Sequence, residues 1–359
     1  MRILFAFIVL AFLASCSSDQ KNKEYLRKAN GKPGDLVVLM DSVQWKGPLG
    51  AELRKVIQAD VPGLPQGEPM FNVIWVHPSK GLEMLNEMRN LLFVFTMDQT
   101  TSGSRVLRKQ FSQETLDKIN SDTTFNSSTL TDEYAKGQQV MYLFHKTSDG
   151  LMRYISENRQ AIIDYFNRTE RERIAKELFR GVSSSSVSAF LLKEQKIEIK
   201  IPGGYKLADK TNDFVWWRWI DSEIDKDVFI SWKPYTSEYQ LLPDSLIEWR
   251  NQICQKYIYE DPEKPDTYLV TEVEDAKVQA RQVQHNNKFG MELRGLWRTK
   301  LRTMGGPFLS YALVDDVMGR IYYIEGFVYA PGKDKREMMR ELETILWTFR
   351  IRTEAPKKN

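Results

Sequence analysis

The side chains that most often carry out chemistry are few in this chain of 359 residues. It contains three histidines, His77, His145 and His285, and two cysteines, Cys16 and Cys254. A metal site needs three or four converging ligands, and the sequence has no HExxH motif, no CxxC motif and no pair of histidines at helical spacing. His77 and His145 each lie at the end of a predicted strand, so they could be neighbours in space. We predict no metal and no other cofactor.

Motifs for nucleotide binding and nucleophilic catalysis are also missing. The sequence contains no GxGxxG loop and no P-loop, and Gly203-Gly204 and Gly305-Gly306-Pro307 are more simply turns. It lacks the G-x-S-x-G elbow that presents a serine nucleophile. Asp315-Asp316 falls in a predicted hairpin, where carboxylates are usually solvated. We therefore predict no catalytic residue, and an enzyme of an unrecognised type is the alternative.

The most unusual cluster is aromatic and spans residues 214 to 219. Alternation along a strand places Phe214, Trp216 and Arg218 on one face and Val215, Trp217 and Trp219 on the other. One face must meet the core, so the other should carry tryptophan at or near the surface, where it could stack on a sugar or hold a partner protein. The alternative is that a helix or another domain covers these rings. We expect the face of Trp217 and Trp219 to be the buried one, because it includes no charge. The candidate binding surface consists of Trp216, Trp217, Arg218, Trp219 and, on the next strand, Trp232.

The first residues are predicted to direct export. Arg2 precedes an eleven-residue apolar run, Ile3 to Leu13, and polar residues follow it. A membrane span needs about 20 apolar residues, so this layout is typical of a secretory signal peptide.

The end of that run, Leu13-Ala14-Ser15-Cys16, resembles the lipobox of bacterial lipoproteins. The resemblance implies that Cys16 is diacylated on its sulfur and becomes the first residue of the mature chain. An ordinary signal peptide with a chance cysteine is the alternative. Ser17 after the cysteine implies, by the same resemblance, sorting to the outer membrane. Display on the cell surface would usually show several acidic residues just after the cysteine. Only Asp19 is there, which argues against surface display.

Length and composition fit two globular domains behind a tether. Hydrophobic residues make up 42% of the chain and charged residues 28%, which allows a sizeable core. Lys and Arg number 51 against 48 Asp and Glu, a net charge of +3 without a basic stripe, so we predict no nucleic-acid partner. The predicted organisation is a signal peptide at 1–15, a flexible tether at 16–33, an α/β domain at 34–182, a mainly antiparallel α+β domain at 187–352 and a disordered tail at 353–359.

Hydrophobic periodicity supports these two fold classes. In the first half, apolar strands at 36–40, 71–76, 91–97 and 140–144 alternate with helices, including one capped by Ser79 and one of about 30 residues from Ser148. Residues 98–137 have no clear pattern. In the second half the period changes to two, with strands at 197–201, 214–220, 228–232, 268–273, 290–297, 308–313 and 321–328. Helices are predicted at 243–257, where Cys254 shares an apolar face with Ile247 and Ile258, and at 335–349.

Two resemblances follow from these segments. The order of elements in residues 187–352 is similar to the Mog1/PsbP-type α/β/α sandwich, in topology only, and implies no chemistry. The whole chain resembles an uncharacterised lipoprotein family of the Bacteroidota, a domain of unknown function. The residues that carry this second resemblance, besides the lipobox, are Gly34-Asp35-Leu36-Val37-Val38, Leu293-Arg294-Gly295-Leu296-Trp297, Gly305-Gly306-Pro307-Phe308 and Gly326-Phe327-Val328-Tyr329-Ala330-Pro331.

These observations predict a lipoprotein held in the bilayer by acylated Cys16. It would face the periplasm and have a non-catalytic binding or envelope-assembly role, with an envelope protein or a glycan as its partner. The alternative is a glycan-binding or glycan-processing protein that uses the Trp-rich strand.

Overall fold

The structure, a computed structural model, describes residues 26–80, 87–182 and 185–352. The predicted signal peptide, Cys16, most of the helix predicted after Ser79 and the tail at 353–359 lie outside these ranges. The described chain forms two compact units. The first includes residues up to Val56 and Asn72–Arg159, and the second includes Ile57–Phe71 and the chain from Gln160 onwards.

A mixed sheet with the order β2-β1-β3-β5-β4 is the centre of the first unit, as far as the chain is described. Strands β1, β2, β3 and β5 are parallel, and β4 pairs antiparallel with β5 at one edge. The strands are β1 (Asp35–Met40), β2 (Asn72–Val76), β3 (Asn90–Thr96), β4 (Ser127–Thr131) and β5 (Gln139–His145). All seven residues of β3 are buried, as expected for a parallel strand covered on both faces.

Five helices accompany this sheet in the described ranges: α1 (Ser42–Lys46), α2 (Pro48–Ile57), α3 (Ser102–Arg108), α4 (Gln113–Ser121) and α5 (Ser148–Glu157). Helices α3 and α4 and strand β4 lie in the stretch without a clear sequence pattern. The long helix predicted from Ser148 is two helices, because α5 ends at Glu157 and α6 (Arg159–Leu178) begins after Asn158. Residues 27–30, predicted as tether, are hydrogen-bonded to the first unit, with Ala29 N donating to the Lys136 carbonyl oxygen at 2.9 Å.

The second unit contains a sheet whose order, within the described residues, is β10-β12-β13-β14-β9-β8-β7, with β11 also pairing with β12. All of its pairs are antiparallel. The strands are β7 (Lys206–Lys210), β8 (Phe214–Ile220), β9 (Asp225–Pro234), β10 (Leu269–Glu272), β11 (Gln279–His285), β12 (Lys288–Thr299), β13 (Gly305–Asp315) and β14 (Arg320–Tyr329). Short strands β6 (Ile197–Glu198) and β15 (Arg350–Ile351) pair with each other.

Helices cover both faces of this antiparallel sheet. They are α7 (Ser186–Gln195), α8 (Pro243–Tyr257) and α9 (Arg336–Leu346), and two 3-10 turns lie at Glu238–Leu241 and Pro265–Thr267. One buried cluster joins the sheet to α7 and α9, and a second joins the opposite face to α8. The predicted fold classes, α/β followed by a mainly antiparallel α+β domain, are confirmed.

The second unit also takes in two pieces from earlier in the sequence. These are segment 57–71, which leaves the first unit after α2 and returns at β2, and nearly all of α6. Phe71 packs edge-on against Phe166 of α6 with ring centroids 5.9 Å apart. Arg171 of α6 binds Glu343 of α9 at 3.0 Å. The sequence pattern had assigned α6 to the first domain, and the exact domain boundary stays a prediction.

Candidate functional site

The carboxyl ends of the parallel strands are the usual place for ligands in an open α/β sheet. Asp41 follows β1 at this edge and is only 1% exposed. Its Oδ1 accepts a hydrogen bond from Val43 N at 2.8 Å, and its Oδ2 accepts one from Gly103 N at 3.2 Å. A side chain at Gly103 would place its Cβ 2.5 Å from that same Oδ2. Asp41 therefore caps α1 and fills the space beside the first turn of α3.

Asp98 plays a similar part after β3. Its Oδ2 accepts a hydrogen bond from Ser148 N, at the start of α5, at 2.9 Å. Its Oδ1 accepts one from Thr96 Oγ1 at 2.5 Å, and Thr96 in turn accepts one from Gln44 Nε2 at 2.7 Å. Backbone N–H groups at a helix start attract anions such as phosphate. At this edge the chain's own carboxylates occupy those positions.

The two histidines of this unit do not meet. His77 follows β2 and His145 ends β5, and β1 and β3 lie between those strands. Three strand spacings separate their ends by about 14 Å, so the expectation that the histidines are neighbours is wrong. Among the described residues, no group of three or more His, Cys, Asp or Glu side chains is arranged to hold a metal ion.

His77 does lie between Ser79 and Asp41, which invites comparison with a hydrolase triad. Its Nδ1 is 2.7 Å from Ser79 Oγ, and its Nε2 is 3.7 Å from Asp41 Oδ2. The second distance exceeds hydrogen-bond range, and both Asp41 oxygens already accept backbone N–H groups. Ser79 N also contacts the same Nδ1 at 3.3 Å. The arrangement is a local turn that happens to approach Asp41.

An open cavity of about 400 Å³ lies elsewhere in the first unit, and we call it the aromatic pocket. It is bounded by Gln110, Phe111 and Ser112, between α3 and α4, by Thr115 in the first turn of α4, and by the antiparallel pair β4–β5. Its apolar lining comes from Phe111, Phe125, Leu130 and Phe144. This pocket was not predicted from the sequence, because most of its lining comes from the stretch 98–137, which has no clear pattern. The available signal was a set of aromatic residues recurring in an otherwise polar region.

The Trp-rich strand β8 is covered on both faces. Trp216 is 8% exposed and packs in the cluster that includes α8, whereas Trp217 is 5% exposed and packs in the cluster that includes α9. Trp232 on β9 is also buried. Burial of Trp217 was expected, but the prediction that the opposite face lies at or near the surface is wrong for Trp216. Whether any of these side chains binds a ligand stays a prediction.

Arg218 and Trp219, at the end of β8, are half-buried and held by ionic contacts. Arg218 Nε donates to Asp227 Oδ1 at 3.0 Å, and Trp216 Nε1 donates to the same oxygen at 2.9 Å. Burial raises the pKa of Asp227 to about 7, although Arg218 and the Trp216 indole both favour its charged form. The Lys226 ammonium lies 4.2 Å from the centroid of the Trp219 ring. The arginine and the indoles thus serve internal contacts.

A complete ion pair is buried beneath α8. Arg250 and Glu325 are both fully buried, with Arg250 Nη2 2.8 Å from Glu325 Oε1 and Nε 2.9 Å from Oε2. Tyr323 Oη donates to Glu325 Oε2 at 2.9 Å. Cys254, one helical turn after Arg250, is fully buried, as predicted, and burial raises the pKa of its thiol to about 12. A protonated, inaccessible thiol is not a nucleophile.

Two family models match this chain. Residues 184–348 match the model described as Domain of unknown function (DUF4837), and residues 29–179 match the model described as Domain of unknown function (DUF8532). No curated protein matches the sequence. The predicted resemblance to proteins without an assigned activity is confirmed. The lipoprotein character and the Bacteroidota origin stay predictions.

Solved structures give a distant likeness only. The Ran-binding protein Mog1p of Saccharomyces cerevisiae is 10% identical, with 45% of this chain and 92% of that chain covered and a TM-score of 0.30. A substituted form of protein Mog1 is 9% identical, with 45% of this chain and 93% of that chain covered and a TM-score of 0.29.

In the described ranges no helix is both long and apolar enough to cross a membrane.

Proposed function

We propose that this protein is a lipoprotein anchored through acylated Cys16, in the outer membrane and facing the periplasm, with a non-catalytic binding or envelope-assembly role. Its partners would be the bilayer, through the acyl chains, and an envelope protein or a glycan. The anchoring part is supported by the lipobox Leu13-Ala14-Ser15-Cys16. Each buried methylene contributes about 0.8 kcal/mol of membrane affinity, so two acyl chains hold a protein firmly.

One observation carries the non-catalytic part of the proposal. At the sheet edge where α/β proteins usually hold reacting ligands, Asp41 and Asp98 are bound to the backbone N–H groups of Val43, Gly103 and Ser148. A general base or a nucleophile must face its substrate, whereas these carboxylates are used as internal caps. Cys254, a further side chain suited to nucleophilic attack, is buried in the core. This arrangement supports a binding role rather than a catalytic one.

The alternative, a glycan-binding or glycan-processing protein, relied on open indole rings along β8. Trp216, Trp217 and Trp232 are each at most 8% exposed, and a ring must present a free face to stack on a sugar. We therefore keep the Trp-rich strand as part of the core of the second unit.

Metabolic labelling with an alkyne fatty acid tests the anchoring part. We expect label on the wild-type protein and none on Cys16→Ala, which should stay uncleaved or be released from membranes. Cys254→Ala is the matched control and should keep full labelling, because its thiol is buried away from acylating enzymes. Equal label on the wild type and on Cys16→Ala would contradict the proposal.

A further inference from the structure

The aromatic pocket lies against one face of the β4–β5 pair. Ser128 of β4 lies directly opposite Tyr142 of β5 in the strand register, and both side chains line the cavity. The chain between α3 and α4 closes the other side through Phe111 and Ser112. A volume of about 400 Å³ falls in the range of small-molecule sites, roughly 300 to 1,000 Å³. The cavity therefore has room for a small organic ligand.

The lining is dominated by neutral hydrogen-bonding groups. Six of its side chains carry a hydroxyl or an amide, four are apolar, and one, Glu133, carries a charge. The six neutral polar side chains are Gln110, Ser112, Thr115, Ser128, Tyr134 and Tyr142. Hydroxyls both donate and accept, so they suit a ligand whose own groups do the same.

Two phenols stand together in this lining. The hydroxyl oxygens of Tyr134 and Tyr142 are 3.5 Å apart, which is long for an O–H···O hydrogen bond. Burial raises the pKa of both phenols, and the neighbouring Glu133 carboxylate raises them further. Both phenols therefore keep their protons at neutral pH. Their weak mutual contact leaves hydrogen-bonding capacity for a ligand.

Ionic ligands fit this lining less well than neutral ones. An anion would meet the Glu133 carboxylate, and no cationic side chain lines the cavity in the described part of the chain. A cation would seek the aromatic faces, but the Lys118 ammonium already lies 4.3 Å from the centroid of the Phe125 ring. On one side Tyr142 is stacked against Phe93, with centroids 4.8 Å apart. The ligand that suits this lining best is an uncharged molecule with several hydroxyls and an apolar face.

We propose that the aromatic pocket binds a neutral sugar unit, with its C–H face against Leu130, which is 41% exposed, and its hydroxyls bonded to the Tyr134, Tyr142 and Ser128 hydroxyls. This inference rests on the proposed binding function and names its ligand class. It uses a site separate from the Trp-rich strand. A pyranose ring combines a C–H face with a rim of hydroxyls, and its binding requires no covalent step.

Saturation-transfer NMR on the purified full-length protein in detergent tests the proposal. The probes are glucose, galactose and N-acetylglucosamine, with tetramethylammonium as the cationic probe and inorganic phosphate, read by phosphorus NMR, as the anionic one. Ser128→Phe should fill the cavity. Thr129→Phe is the matched control, because Thr129 points to the opposite face of β4 and is exposed. Thermal melts establish that both variants fold.

We expect at least one sugar to bind the wild type and Thr129→Phe equally, and to lose at least tenfold in affinity with Ser128→Phe. Tyr134→Phe, which removes one hydroxyl and no ring, should weaken the same sugar severalfold. The proposal is overturned if no sugar binds, if Ser128→Phe leaves sugar binding unchanged, or if only tetramethylammonium or phosphate competes for the pocket. Should Ser128→Phe fail to fold, Tyr134→Phe with unchanged sugar affinity overturns it. The acyl-labelling result is read separately, so failure here is distinct from failure of anchoring.

Discussion

At the scale of single residues, the ion pair of Arg250 and Glu325 gives the sharpest expectation about stability. Arg250→Ala should lower the free energy of unfolding by about 3–5 kcal/mol, because it leaves the Glu325 carboxylate buried without its partner. Urea denaturation followed by fluorescence measures this. The double replacement Arg250→Met with Glu325→Leu should recover much of the loss, since no charge then remains buried. An Arg250→Ala protein that loses less than about 1 kcal/mol of unfolding free energy would contradict this account.

The tryptophans of β8 give a second expectation. Trp216→Ala and Trp217→Ala should each cost about 3–5 kcal/mol, because each side chain fills core on its own face of the sheet. Ile220→Ala, on the same strand but 60% exposed, is the control and should change stability by less than about 0.5 kcal/mol. Thermal melts of the three variants compare them. A Trp216→Ala protein that melts like the Ile220→Ala protein would mean that this face is open in solution.

His285 makes stability depend on pH. It is 1% exposed and stacks on Trp347 with ring centroids 4.6 Å apart. Burial lowers its pKa from 6.5 to about 4, and the nearby Arg350 and Arg171 act in the same direction. The unfolded chain therefore takes up this proton more readily than the folded chain between those two pH values. The contribution of the neutral His285 ring to the free energy of unfolding is complete above about pH 6.5. It is lost as the pH falls towards 4, and the total loss is about 3 kcal/mol.

Unfolding free energies of the wild type and of His285→Phe between pH 4 and 7 check this prediction. The difference between the two proteins isolates the histidine, because the other titrating carboxylates, including Glu292, are common to both. We expect the variant to lose less stability on acidification. Parallel curves for the two proteins would show that the folded histidine takes up its proton at an ordinary pH.

At the scale of elements, helix α9 depends on a residue far away in the sequence. Its own N-cap, Lys335, supplies no side-chain cap. Instead Glu68, 6% exposed, accepts hydrogen bonds from Lys335 N and Arg336 N at 2.8 Å each. Glu68→Ala should cost about 1–2 kcal/mol through the lost cap and the lost charge at a helix start. Gln58→Ala, exposed on the same segment, should be neutral in the same denaturation experiment.

The elements also show what the sequence could and could not predict. Strand β8 and helix α8 have the predicted bounds, because strong apolar patterns end there at clear turns. The strands β4, β7 and β11 were missed, since most of their residues are exposed and show no alternation. Burial of both faces of β8 could not be predicted either. Alternation separates the two faces of a strand, but it does not tell whether a helix covers each of them.

At the scale of the whole molecule, cleaving the chain between the two predicted domains should not separate the two structural units, because their sequence boundaries differ. The predicted domains 34–182 and 187–352 meet at residues 183–186, and Val182, just before that stretch, is 38% exposed. Proteolysis there should produce two fragments that stay together in gel filtration, because the N-terminal one contains segment 57–71 and α6, both parts of the second unit. Fragments that separate in the absence of denaturant would contradict this.

The same reasoning applies to an expressed fragment of residues 184–352. It lacks Glu68 at the start of α9 and Arg171 beside Glu343. We expect a lower melting temperature than in the intact protein and poor dispersion in its amide NMR spectrum. Fragment 160–352, which restores α6, should lie between the two. A 184–352 fragment that melts like the intact chain would show that segment 57–71 and α6 are dispensable.

The cap on α9 also limits how early the second unit can fold during synthesis. Glu68 leaves the ribosome 267 residues before Lys335, the first donor to its carboxylate. At roughly 5 to 20 residues per second, the wait is on the order of 10 to 50 s. During that interval Phe71, later packed against Phe166, has no finished core to enter. The second unit thus closes only when the last helix has been made, and until then the nascent chain offers apolar surface to holding chaperones.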